Sequence, residues 1–279
     1  MDLSLPKILK AKVQAWRESG YSSEYSVIRE ILDYASNENF LRKAQFEALE
    51  VYWYLRIIEK TPQILELYKK LYSGDDVSLL KALGINLSAD DLIRLLPSGG
   101  VQHVFEVIKT DDEFVKKKRL QVVRESLTLE YFSYILALAM GSGKTVLIGT
   151  IIATEFAMSA EYPENFVKNA LVFAPGKTIL GALKEISDIP FERIMPPRLN
   201  KQFMSSLKIT YTQDGKKTIP VRDGSSFNVI VTNTEKIRIQ KQIRKSSQRS
   251  LQNFKKDLRS KEEEEIKSLR RPHSKSAFT

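Results

Sequence analysis

Leu138-Ala-Met-Gly-Ser-Gly-Lys-Thr145 decides how this chain is read, because it separates two apolar runs of different texture, Tyr131 to Ala139 and Val146 to Met158. The first is β-type in composition; the second has the length of a helix. In such a loop, glycines let backbone N–H groups turn toward phosphate oxygens, and the N-terminus of the following helix adds free donors and a favourable dipole. A lysine then reaches the β and γ phosphates, and a hydroxyl ligates Mg²⁺. The loop residues Gly141, Ser142, Gly143, Lys144 and Thr145 are therefore expected to hold ATP, with Thr145 as the Mg²⁺ ligand. The strict pattern G-x-x-x-x-G-K-[ST] would place its first glycine at Leu138, which disfavours strict-pattern kinases and GTPases.

Beyond the loop, short β-type runs alternate with helical ones: Tyr131 to Ala139, Val146 to Met158, Ala170 to Ala174, Thr178 to Ile186. That alternation predicts a parallel sheet with crossover helices. Leu207 to Thr212 alternates with period two, Asp214-Gly215 before Thr218 to Val221 suggests a hairpin, and Phe227 to Val231 reads as a buried strand. Upstream, the pattern to about residue 128 is mainly helical. Leu41, Ala44, Ala48, Leu49, Tyr52 and Leu55 form one stripe, and Ile64, Leu67, Tyr68 and Leu71 another. Ser88-Ala-Asp-Asp91 resembles a capped helix start, and Pro97-Ser-Gly-Gly100 a break.

The chain of 279 residues holds 44 Lys and Arg against 34 Asp and Glu, a net charge of +10, and is 42% hydrophobic. That is room for one large or two modest domains with real cores. The charge is uneven: from Glu235 onward 14 basic and 6 acidic residues give +8, leaving +2 for the preceding 234 (10 − 8 = 2). Leu251, Phe254, Leu258, Ile266 and Leu269 recur there at roughly helical spacing, so this tail reads as a solvated amphipathic helix. The absence of cysteine excludes disulfides, thiol nucleophiles and Cys-ligated zinc, and two distant histidines, His103 and His273, argue against His-rich metal hydrolases. No apolar run reaches the roughly 18 residues of a spanning helix, and no secretory signal is evident, so an intracellular, cytoplasmic protein is expected.

LAMGSGKT (138–145) resembles motif I of superfamily 2 helicases, closest to the motor subunit of type III restriction enzymes and related DEAD/DEAH-box proteins. Leu171-Val-Phe-Ala-Pro-Gly-Lys-Thr-Ile-Leu180 is similar to that family's motif Ia, and Val229-Ile-Val-Thr-Asn-Thr234 to the element before its Walker B strand. The resemblance implies an α/β fold with an incomplete, RecA-like P-loop parallel sheet over residues 129–240. A mainly helical region (1–128) precedes it, and a basic helical tail (241–279) follows. It also implies that Pro175, Gly176, Lys177, Thr178, Thr232 and Asn233 touch the sugar-phosphate backbone of DNA. Their residue types suit contacts without base preference. Leu41-Arg-Lys-Ala-Gln-Phe-Glu-Ala-Leu49 is similar to the Q-type element, which implies that Gln45 contacts the adenine edge. Gln45 also lies on the stripe of Leu41, Ala48 and Tyr52, where a polar side chain needs a partner in any case. The 99 residues from Gln45 to Lys144 exceed the family's usual interval, so the helices between them read as an insertion.

Hydrolysis in this family resembles other P-loop systems in needing an acidic pair after an apolar strand. No such Asp-Glu follows Thr234, where Glu235, Asp257 and Glu262 to Glu265 stand in polar or basic settings. The reading is the N-terminal part of an ATP-dependent DNA helicase or translocase, binding ATP and Mg²⁺ without turning ATP over alone. A second chain, supplying the rest of the motor or a modification function, is a possible partner. The alternative is a nucleotide-independent interaction protein with a remnant P-loop; a compact P-loop kinase with a small acceptor is the third. Tyr52-Trp53-Tyr54 reads as helix core and rim rather than a base-stacking platform, and His103 as structural.

Overall fold

The computed structural model describes residues 5–72, 75–129, 131–174, 181, 183–211 and 227–233. These divide into two units, Met1–Lys168 with Ile186–Leu207, and Asn169–Glu185 with Lys208–Thr279.

The first unit is helical. Helices α1 (Leu5–Glu18) and α2 (Ser26–Glu38) bury the stripes Leu9, Val13, Trp16 and Val27, Ile28, Ile31, Leu32, Ala35 at the three-to-four residue spacing of a packed helix. Helix α3 (Lys43–Trp53) continues into a wider π turn, Tyr54–Ile58, which carries Tyr54, Leu55 and Ile57 inward together. After Pro62 come α4 (Ile64–Leu71), α5 (Asp76–Ala82), α6 (Ala89–Leu95), α7 (Gly100–Thr110), α8 (Asp112–Lys118) and α9 (Gln121–Thr128). The caps follow the sequence: Ser88 and Asp91 form a reciprocal capping box on α6, and a 3₁₀ turn at Leu96–Ser98 separates α6 from α7. Leu80, Ile85, Val104 and Ile108 centre a hydrophobic cluster shared by α5 to α9, so the interval between Gln45 and Lys144 is a helical layer with a core of its own.

Helix α10 (Lys144–Glu161) opens at the glycine loop and is buried on nearly every side, which is why its sequence is predominantly apolar. It packs against α2, α3 and α11 (Pro197–Ser206). Gly149 permits the closest approach: a Cβ there would stand 2.3 Å from Ile189 Cδ1. The helix lies in the same unit as the N-terminal helices.

The second unit carries the strands β1 (Asn169–Ala174), β2 (Leu207–Tyr211) and β3 (Phe227–Asn233), in the order β1-β3-β2. β1 runs parallel to β3, Val172 opposite Val231, and β3 buries Phe227, Val229 and Val231. The strands expected at 170–174 and 227–231 are thus formed, as is that expected at 207–212 over its described residues, 207–211, and the fold is α/β, mostly helical, with a small sheet. The hairpin from Asp214 and the tail at 241–279 lie outside the described residues.

One expectation is corrected. Tyr131 to Ala139 is neither helix nor strand, so no sheet strand leads into the glycine loop. A strand exists only by pairing, and this stretch has no ladder partner among the described residues. Its composition is β-type, but composition does not supply a neighbour.

Candidate phosphate-binding loop

The loop is built by two elements distant in sequence. Gly141 and Gly143 take φ of +74° and +78°, the left-handed region that side chains resist, and this turns the chain into α10. Arg42 and Gln45, at the start of α3, come up against it. Gln45 is 3% exposed; its Oε1 accepts the Arg42 N–H at 2.8 Å and its Nε2 donates to the Gly143 carbonyl at 2.9 Å. The Arg42 guanidinium donates to the Gly141 carbonyl at 2.7 Å. Contact is close enough that a Cβ on Gly143 would stand 2.3 Å from Gln45 Nε2. The buried glutamine on an apolar stripe has thus found its partner, and that partner is the loop.

The donors of the loop converge on one oxygen. The Ala139 carbonyl accepts from the Ser142 N–H at 3.3 Å, the Ser142 hydroxyl at 2.7 Å and the Lys144 ammonium at 2.9 Å. An oxygen so surrounded stands where a phosphate oxygen would be stabilised by the same groups. Lys144 is exposed and Thr145, the second residue of α10, is half-buried. The first-turn amides of α10 have no intrahelical acceptors, and the helix dipole favours an anion there by about 0.3–1 kcal/mol, up to ~2 when partly buried.

A second set of contacts fixes α10 behind the loop. Tyr52 donates to Glu155 Oε1 at 2.6 Å, Arg56 Nε donates to the same oxygen at 2.9 Å, and Trp53 Nε1 donates to the Thr154 hydroxyl at 3.2 Å. Burial beside the Glu155 carboxylate pushes the Tyr52 hydroxyl far above its ordinary value, so it stays protonated and keeps the proton it donates. Trp53 and Tyr54 are buried, as expected of a helix core. No model of a protein family matches the chain, and it is similar to no curated protein and no solved structure searched.

The six nucleotide residues expected from sequence, Gly141 to Thr145 and Gln45, are therefore brought together. The nucleic-acid set is not gathered in the same way. Pro175, Gly176, Lys177 and Thr178 lie outside the described residues; Thr232 is buried in β3; Asn233 closes β3 opposite Ala174. Among the described residues no group of three or more His, Asp or Glu is placed to hold a metal, so the donor set fits phosphate better than it fits Mg²⁺, for which Thr145 stands alone. Arg42 was not singled out from sequence, although it sits three residues before Gln45; nothing in a pattern tells an arginine that faces water from one that reaches 99 residues along the chain. No helix among the described residues is long and apolar enough to cross a membrane.

Proposed function

We propose that the chain binds the phosphates of ATP at Gly141 to Thr145, and that it is the nucleotide-binding part of a DNA helicase or translocase of the restriction-subunit type. The observation that carries the nucleotide reading is the convergence of Ser142 and Lys144 donors on the Ala139 carbonyl, with Arg42 and Gln45 bracing the loop. On binding, Lys144 exchanges that carbonyl for a phosphate, and the Arg42 charge adds to the local positive potential. Gln45 holds Gly143 in its left-handed turn, and the side-chain amide has one further N–H to offer a base. Mg²⁺, when bound, would neutralise phosphate charge beside Thr145. Without an acidic pair after an apolar strand, hydrolysis by the chain alone is not expected. Calorimetry with Mg-ATP and ADP tests the reading: binding that Lys144→Ala weakens at least about tenfold is expected, and absence of heat at millimolar nucleotide overturns it.

The DNA part of the proposal rests on the resemblance of Pro175 to Thr178, Thr232 and Asn233 to family motifs and on the basic tail. Single-stranded DNA should bind without sequence preference and lose affinity steeply as salt rises.

A second reading is favoured by one observation, the exposed apolar stretch Tyr131 to Met140. On that reading the chain is an interaction protein with a remnant loop, and Lys144→Ala leaves partner affinity unchanged.

A further inference from the structure

The sequence carries 13 consecutive uncharged residues from Tyr131 to Gly143. Between Ser133 and Ala139 exposure alternates residue by residue, with Tyr134, Leu136 and Leu138 half-buried and their neighbours exposed. That is the period of a strand with one covered face. Yet among the described residues no backbone group from Phe132 to Leu138 bonds to another backbone group. The stretch borders a cavity of about 760 Å³, walled opposite it by apolar residues of α1 and α3 such as Leu9, Val13, Ala48 and Val51. On the other face Ile135 is 92% exposed and Tyr131 65%, and Phe132, at the end of the covered face, is 54% exposed. A row of unpaired strand groups is a template for another strand, and soluble proteins usually blunt such rows with charge or proline. This stretch has neither.

We propose that Tyr131–Ala139 pairs antiparallel with the same stretch of a second copy, about a two-fold axis at Ile135. The sequence is self-complementary in that register. Tyr134 falls opposite Leu136, Phe132 opposite Leu138 and Tyr131 opposite Ala139, each an aromatic ring against an aliphatic side chain, and Ser133 falls opposite Ala137. A charge near the axis would face its own copy; none occurs within the paired residues. Directly opposed residues of antiparallel strands point to the same side, so Tyr134 and Leu136 of the second copy extend the half-buried face. The two-fold, in which one patch meets itself, is the commonest symmetry of homo-oligomers. The pairing requires no nucleotide and stands apart from the reading of the loop. A nine-residue ribbon is small, and interfaces below about 1,200 Å² in total are weak or transient, so a concentration-dependent equilibrium is expected rather than a permanent dimer.

Sedimentation equilibrium of the whole chain from about 1 to about 200 µM tests this. The expected result is a monomer–dimer equilibrium. Because Ile135 is almost fully exposed, Ile135→Lys and Ile135→Glu leave the folded monomer intact. Each alone should be monomeric throughout the range, since like charges then meet at the axis. An equimolar mixture of the two should restore the dimer, at least to wild-type affinity. A wild-type chain monomeric at the top of the range overturns the proposal, as does a dimer that both variants retain, or a mixture that stays monomeric.

Discussion

Helix α10 and the stretch Tyr131 to Ala139 flank the same glycine loop and are both largely apolar, yet one is buried on nearly every side and the other, from Phe132 to Leu138, has no backbone partner among the described residues. The contrast follows from where each finds its hydrogen bonds. A helix satisfies its backbone internally, so α10 forms as soon as α2, α3 and α11 cover it. A strand cannot, because every N–H and C=O looks sideways for a neighbour. An apolar run that can choose either side of that line reveals little until its neighbours are known.

Substitution on the two flanks gives the largest separation. Trp53→Ala removes a side chain with no exposed surface, packed on α10, and should cost about 3–5 kcal/mol in urea unfolding. Ile135→Ala should change stability by less than about 0.5 kcal/mol, because nothing covers that side chain in the monomer. Equal losses would break the contrast.

Amide exchange measures it without mutation. In dilute protein the amides of Leu147 to Ser159 should exchange at least about a hundredfold more slowly than those of Phe132 to Leu138. At higher concentration, self-pairing of the second set should slow it while leaving the first unchanged.

The junction between the flanks is sharpened by Gly143→Ala. Its Cβ would collide with Gln45 Nε2 in a backbone that is left-handed, so a loss of about 1–3 kcal/mol is expected by thermal unfolding. Gln45→Ala should recover part of that loss in the double variant but not all, because the strained φ remains.

The smallest effect lies away from both flanks, in the α5 to α9 layer. Hydrogen bonds from Lys118 and Ser88 hold the Asp91 carboxyl at about 2, below its ordinary 3.8. A carboxyl depressed on folding contributes stability above its unfolded value, and that contribution disappears as pH falls through the folded one. Stability should therefore decline between about pH 4 and pH 2 with a slope that Asp91→Asn flattens, while the Trp53→Ala loss is nearly independent of pH.

Much of the glycine loop was legible in the chain. Gly141 and Gly143 were visible because left-handed turns need glycine, and Lys144 as the cation that follows them. Gln45 was visible as a polar residue on an apolar stripe, which had to be satisfied somewhere. Arg42, Glu155 and Arg56 were not, since their roles depend on contacts across about a hundred residues. The strands at 169–174 and 227–233 were legible from their apolar runs, but their register was not.

By itself the sequence determined which segments are helical, where they are capped, that the loop turns through two left-handed glycines, and that charge gathers beyond residue 234. These are decided by forces acting over a few residues, such as sterics, capping and the period of apolar side chains. Only the tertiary structure decided that Gln45 and Arg42 brace the loop, that α10 joins the N-terminal helices, and that the apolar run before the loop has no ladder partner among the described residues. Those outcomes depend on which surfaces meet, and a one-dimensional pattern states what a surface needs without naming what fills the need.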